Sequence, residues 1–203
     1  MSGLAFMPVA ASVLACIQGA GAILLENLNA RHVRANAGSV PEALRGVMTP
    51  ENHARAAEYT LAKGRLANAG HLLDLVVFLG LIASGLLPAS MGWAGVDGAS
   101  SPWRAAAWLA GVGVMLSIPS LPLEWWGQFR MEARFGFNTT TLGTWVADRV
   151  KGLGLSLALG VPLLALVLAL VRWMGSWWWL GSWAAVARSE EHTSELQSRQ
   201  YLV

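Results

Sequence analysis

This chain of 203 residues is short of charge: only 13% of its residues are Asp, Glu, Lys or Arg, against about 25% in an ordinary soluble domain. The shortage is concentrated. No charged side chain occurs in residues 1–25, 75–96, 105–123 or 152–171. Cysteine is almost missing too. Cys16 stands alone, which excludes an internal disulfide and a cysteine-based zinc site. It follows Val-Leu-Ala, as in a lipoprotein processing site, yet no Lys or Arg precedes it, and a signal peptide needs a positive n-region. A buried thiol in the first apolar interval is the expectation. The net charge of +2 comes without a basic cluster, so nothing points to a nucleic-acid partner. Several catalytic signatures are missing as well: H-E-x-x-H, G-x-S-x-G and the P-loop do not occur. Local chemistry therefore offers no catalytic residue and no metal ligand set.

What is present is apolar surface. Hydrophobic residues make up 55% of the chain, and the mean hydropathy is +0.47. A bilayer-spanning helix needs about 20 mainly apolar residues, and the four uncharged intervals each qualify. A fifth, from Trp173 to Ala187, stops short. The expected fold is an all-α, polytopic transmembrane helical bundle of four complete spans and a truncated fifth. The last segment, "RSEEHTSELQSRQYLV" from Arg188 to Val203, breaks from the Trp-rich text before it. Arg188 to Ser198 is the in-frame translation of a common sequencing-library adapter, and the adapter's next bases encode Arg199 to Val203 for one choice of index. Residues 188–203 are thus expected to be a translation artefact and are set aside, with their Glu191-His192 pair, from fold reasoning. On that expectation residues 1–187 form one membrane domain, cut in mid-helix.

Orientation follows from the distribution of cations. The connection from Glu26 to about Ala69 holds Arg31, Arg34, Arg45, Arg55, Lys63 and Arg65. The connection from about Leu87 to Trp103 holds none, with Arg104 at its edge, and that from Glu124 to Lys151 holds Arg130, Arg134, Arg149 and Lys151. The N-terminus is expected outside, with the first and third connections in the cytoplasm. Thr49-Pro50-Glu51 is a helix start signal, predicting a helix that runs on into the second span. The second connection, "PASMGWAGVDGASSPW", reads as a turn rich in Gly, Ser and Pro. Trp93, Trp103, Trp125, Trp126, Trp173 and Trp177 to Trp179 fall near span ends, where indole rings favour the headgroup layer.

Few polar residues lie within reach of the spans. His71 and Asp74 are three apart and share a helix face. A charge well inside a bilayer costs about 2.5–3.5 kcal/mol on insertion scales, a cost that snorkelling lowers for Asp74 near the span's edge. The pair are candidates for a structural or cavity-lining role or for a direct substrate role. His32 and His53 stand alone in polar text and are expected to be solvated. Asn138-Thr139-Thr140 matches a glycosylation acceptor, but on the expected cytoplasmic side.

The densest polar text between two apolar blocks is "LPLEWWGQFRMEARFGFNTTTLGTWVADRVKG", Leu121 to Gly152. "LPLEWW" closes the third span on a Trp pair, and "GQFRMEARFGF" follows as a cationic amphipathic connection. Gly136 can supply a backbone conformation with φ > 0. Asn138 is a candidate N-cap for a further helix with Leu142, Trp145, Val146 and Val150 on its apolar side. That helix is expected to lie along the membrane surface.

These motifs carry a resemblance. "EARFGFNTTTLGTWVADRVKG", with Leu-Pro upstream and "GVPLLALVLAL…WWWLGSW" downstream, closely resembles the N-terminal membrane domain of the CAAX prenyl protease 1 family. "AEYTLAKGRLA" resembles that family's Tyr-Thr-x-x-Lys-x-Arg segment, here Tyr59, Lys63 and Arg65. Arg134, Phe135, Gly136, Phe137 and Asn138 supply the more specific run. The resemblance covers residues 1–187. It implies an integral-membrane zinc metalloendopeptidase whose spans enclose a water-filled chamber, with H-E-x-x-H after the fifth span. It implies zinc as cofactor of the intact enzyme, none held by this chain, and as partners the lipid bilayer and a peptide or protein substrate. The implied location is a bacterial inner membrane, or else the endoplasmic reticulum. No catalytic or zinc residue can be carried over, since the chain ends before them. A small non-enzymatic membrane scaffold or transporter, with His71 and Asp74 on a permeation path, is the alternative from another class. A membrane quality-control protease with a shorter N-terminus is disfavoured by the Arg-Phe-Gly-Phe-Asn run.

Overall fold

The computed structural model describes residues 2–42, 46–181 and 183. Arg45, which the cation count includes, and residues 188–203 with Glu191-His192 lie outside the described residues, as does most of the fifth apolar interval beyond Gly181. The described chain is all-α. Its helices are α1 (Ser2–Asn36), α2 (Pro50–Ala83), α3 (Leu86–Trp93), α4 (Pro102–Ser117), α5 (Leu121–Trp126), α6 (Ala133–Phe135) and α7 (Leu142–Met174). Four stretches are long and apolar enough to cross a membrane: Phe6–Asn36, Pro50–Ala83, Pro102–Phe135 and Leu142–Gly181. The protein is a multi-pass membrane protein.

Local chemistry explains most helix ends. At the start of α2, Thr49 Oγ1 accepts a hydrogen bond from Asn52 N at 3.2 Å, and Pro50 occupies the first turn. This is the predicted cap. The helix ends at Ser84, followed by Gly85 at φ +67°. Here the structure departs from the sequence reading, because residues 86–93 form helix α3 instead of a turn. Gly85 turns the chain in the left-handed region, and Pro88 falls in the first turn, where the missing N–H costs no bond. Beyond α3 the connection is a knot of local bonds: Asp97 Oδ1 accepts from Ala99 N at 3.0 Å and from Ser100 Oγ at 2.8 Å.

The third span is the least regular. After α4 comes a 3-10 turn, Ile118–Ser120, then α5, a π-helical segment Gly127–Glu132, and α6. The expected connection "GQFRMEARFGF" is thus the helical continuation of the span. The expected surface helix is also not separate. From Leu142 the chain runs without interruption to Met174, through Gly152 and Gly154 and past Pro162, because isolated glycines lower helix propensity without breaking the hydrogen-bond ladder.

The described residues fall into two units, residues 2–94 with 112–149, and residues 95–111 with the described part of 150–203. In the first, α1 and α2 pair antiparallel. Asn68 Nδ2 donates to Asn27 Oδ1 at 3.1 Å, Leu75 packs beside Gly19, and Glu26 lies against Gly64. Gly64 is buried, and a Cβ there would overlap the Glu26 carboxylate. In the second unit the buried apolar residues are Ala106 and Ala165. Large apolar side chains point outward instead: Leu25 is 68% exposed and Leu159 65%. Such an inverted pattern suits hydrocarbon as solvent, where small residues let helices approach. It also corrects the expectation for Cys16, which is exposed on α1 instead of buried.

Candidate functional site

The Arg-Phe-Gly-Phe-Asn run folds into one compact junction. Gly136 sits at φ +78°, ψ +15°. Phe137 N donates to Glu132 O at 3.0 Å and Gly136 N to Ala133 O at 3.1 Å, the paired bonds of a Schellman termination. The left-handed glycine predicted from sequence is present, and its role is to close the third span's last helical carbonyls. Asn138 does not cap α7. Its Oδ1 accepts from Thr140 N at 2.8 Å and from Gln128 Nε2 at 3.0 Å. The cap is Thr141, whose Oγ1 accepts from Thr144 N at 3.2 Å. Asn138 is committed to the loop because Gln128, on the π segment, reaches across to hold it.

Helix α2 closes the junction from the other side. The Tyr59 ring meets Phe135 edge-on at 5.2 Å and Phe137 at 5.0 Å between centroids. Arg55 Nη2 donates to Phe135 O at 2.8 Å, joining residues 80 apart in sequence. Phe135 is buried. The two motifs that sequence singled out separately, around Tyr59 and around Arg134, therefore form one structure. Arg134 itself places its guanidinium 5.6 Å from the Phe135 ring centroid. With Arg65 and Arg130 it lines a groove of about 490 Å³ between α2 and the end of the third span. Lys63 is exposed and lines none of these features.

His71 and Asp74 lie elsewhere. They line a groove of about 370 Å³ with Gln18 of α1, floored by Leu75 and Phe78. Among the described residues no three His, Cys, Asp or Glu side chains converge. A catalytic zinc takes about three protein ligands, so these residues do not fit one. Near the start of α7, Arg149 Nη1 stands 2.6 Å from Glu124 Oε2, both partly solvent-facing, and its guanidinium lies 5.3 Å from the Trp145 ring centroid. Outside the spans, the Asp97 carboxyl is held below the usual aspartate range by its hydrogen bond from Ser100 and by the Ala99 amide.

Three residues central to this geometry escaped the sequence reading as site members. Arg55 counted only as a loop cation, and Gln128 and Gln18 drew no notice. Arg55 bonds a carbonyl 80 residues away, Gln128 reaches a loop 10 residues on, and Gln18 faces the groove that His71 and Asp74 line from another helix, none of which a local pattern announces.

Comparison with known proteins gives this junction its context. The family described as CAAX prenyl protease N-terminal, five membrane helices, matches residues 29–189. A CAAX prenyl protease 1 homolog of Arabidopsis thaliana is 27% identical over 153 residues, 72% of this chain and 36% of the relative. CAAX prenyl protease 1 of Saccharomyces cerevisiae is 30% identical over 139 residues, 64% of this chain and 31% of the relative. The chain thus spans about a third of the length of the curated relatives it matches. In fold it is similar to the crystal structure of S. mikatae Ste24p, with a TM-score of 0.74 over 92% of this chain and 45% of that one, at 22% identity. With its match running through both motifs, the end of the first described span and the whole of the other three, the chain belongs to the family of CAAX prenyl protease N-terminal membrane domains.

Proposed function

We propose that this membrane domain serves a zinc metalloendopeptidase that cleaves peptide bonds in membrane-delivered substrates. The observation that carries the reading is the family match over residues 29–189, supported by relatives whose names specify CAAX prenyl protease activity. Zinc and its ligands belong, on this reading, to polypeptide outside the described residues, and no catalytic step is assigned to the chain's own side chains. The domain's share is architectural. The Tyr59–Phe135–Phe137 cluster and the Arg55 bond lock α2 to the end of the third span, which fixes the loop from which α7 departs. Arg134, Asn138 and Arg65 take scaffold roles around that lock, Lys63 remains an exposed position of the family motif outside it, and His71 with Asp74 lines a polar recess beside α1.

We further propose, from the cation distribution, that the junction and the α1–α2 connection face the cytoplasm with the N-terminus outside; the membrane proposed is a bacterial inner membrane, with the endoplasmic reticulum as the alternative. The function is tested by expressing the protein that the source locus encodes and assaying membranes for cleavage of a CAAX peptide, prenylated or not, and of a membrane-protein substrate. The expected result is cleavage that a zinc chelator abolishes. Membranes holding the folded protein but cleaving none of these substrates would refute the proposal.

A further inference from the structure

We propose that the groove between α2 and the end of the third span binds the headgroup of an anionic phospholipid from the surrounding leaflet. Three arginines line it, Arg65 from α2 and Arg130 and Arg134 from the π segment and α6. No acidic side chain lines the groove, and none of the three arginines has a carboxylate partner among the described residues. The walls between them are apolar: Leu66, Trp126 and Phe135. A guanidinium fork matches phosphate oxygens in pairs, while the apolar walls match glycerol and the first methylenes of an acyl chain. A free anion would use the arginines and leave the walls wet.

The groove's place along the spans supplies a second argument. It lies where the uncharged run 105–123 gives way to the Trp125-Trp126 pair and then to Arg130. Trp126 is 55% exposed, as an indole at the headgroup layer is. Basic recesses between spans at this depth meet lipid phosphates, not bulk solution. The inference does not depend on proteolysis and stands or falls separately from it.

Native mass spectrometry on the purified full chain in micelles tests it, with phosphatidylglycerol and phosphatidylcholine of identical acyl chains as probes. At roughly fivefold per cation near an anionic headgroup, the wild-type chain should retain phosphatidylglycerol at least about tenfold better than phosphatidylcholine. R65Q/R130Q/R134Q should lose that preference, R65K/R130K/R134K should keep most of it, and R31Q/R34Q on α1 should leave it unchanged. Millimolar glycerol phosphate should not displace the lipid. Equal retention of the two lipids by the wild-type chain would overturn the proposal whatever the variants do. Undiminished phosphatidylglycerol retention by the triple glutamine variant, or displacement by glycerol phosphate, would overturn it too.

Discussion

Gly136 is the residue on which the junction depends most narrowly. Its φ of +78° lies where a side chain with a branched Cβ is strained by about 1–3 kcal/mol, and both bonds of the helix termination require that conformation. Gly136→Val should lower the stability of the purified protein by that amount, read as a fall in its melting temperature by tryptophan fluorescence; an unchanged melting curve would show that the turn tolerates another backbone path. Space is not the obstacle, since the nearest atom to an added Cβ is Arg55 Nη2 at 3.7 Å. The partners across the junction allow a graded test. Edge-on aromatic pairs contribute about 0.5–1.5 kcal/mol each beyond their burial, so Tyr59→Leu, which keeps much of the bulk, should cost about 1–3 kcal/mol. Arg55→Ala removes a charged donor to the Phe135 carbonyl and should cost about 1–2 kcal/mol, whereas Lys63→Ala should change nothing measurable. Equal effects from Arg55 and Lys63 would mean that general charge, not the bond to Phe135, holds the junction.

At the level of helices, local signals were legible and relayed ones were not. Thr49 caps α2 because everything the cap needs lies within four positions of it. Gly136 could be read for the same reason. Asn138 misled because its side chain answers to Gln128 on the preceding helix as well as to its own loop, and the true cap stands three residues later. The π segment Gly127–Glu132 gives no local sign either; it begins at a close packing point with α2, where Leu66 Cδ2 is only 2.9 Å from the position of a Cβ on Gly127. Helix α3 was hidden by its turn-like Pro and Gly content. The shift of cap can be tested directly. Thr141→Ala should cost about 1 kcal/mol and speed hydrogen exchange at residues 142–145. Asn138→Ala should release the Thr140 amide while leaving exchange at 142–145 near the wild-type rate. The opposite pattern would restore Asn138 as the cap.

For the whole molecule, the number of spans was legible because each interval is long and free of charge, while their joints had to be seen. The proposed orientation is best probed with single cysteines, and the structure guides where to put them. Gly46, Gly95 and Gly136 all have positive φ, so a side chain at any of them would strain the loop it reports on. Ser39, Ala99 and Thr139 are exposed without that constraint. In a Cys16→Ala background, needed because Cys16 is exposed, cysteines at Ser39 and Thr139 should react with an impermeant maleimide only after the cytoplasmic side is opened. A cysteine at Ala99 should react in intact cells. Labelling of all three in intact cells, or the reverse pattern, would refute the orientation.

The outward-facing leucines and inward-facing alanines and glycines carry a consequence for how this protein tolerates change over generations. In a water-soluble domain the bulky residues are the ones held under tight constraint. Here Leu25, Leu159 and Leu163, each more than half exposed, are held by few neighbours in this chain, and any side chain of similar oiliness should serve them equally. Restriction falls on Gly64, Ala106 and Ala165, where one added methylene pushes helices or side chains apart. A saturation library scored for membrane yield should therefore drift freely at its largest apolar positions and freeze at its smallest.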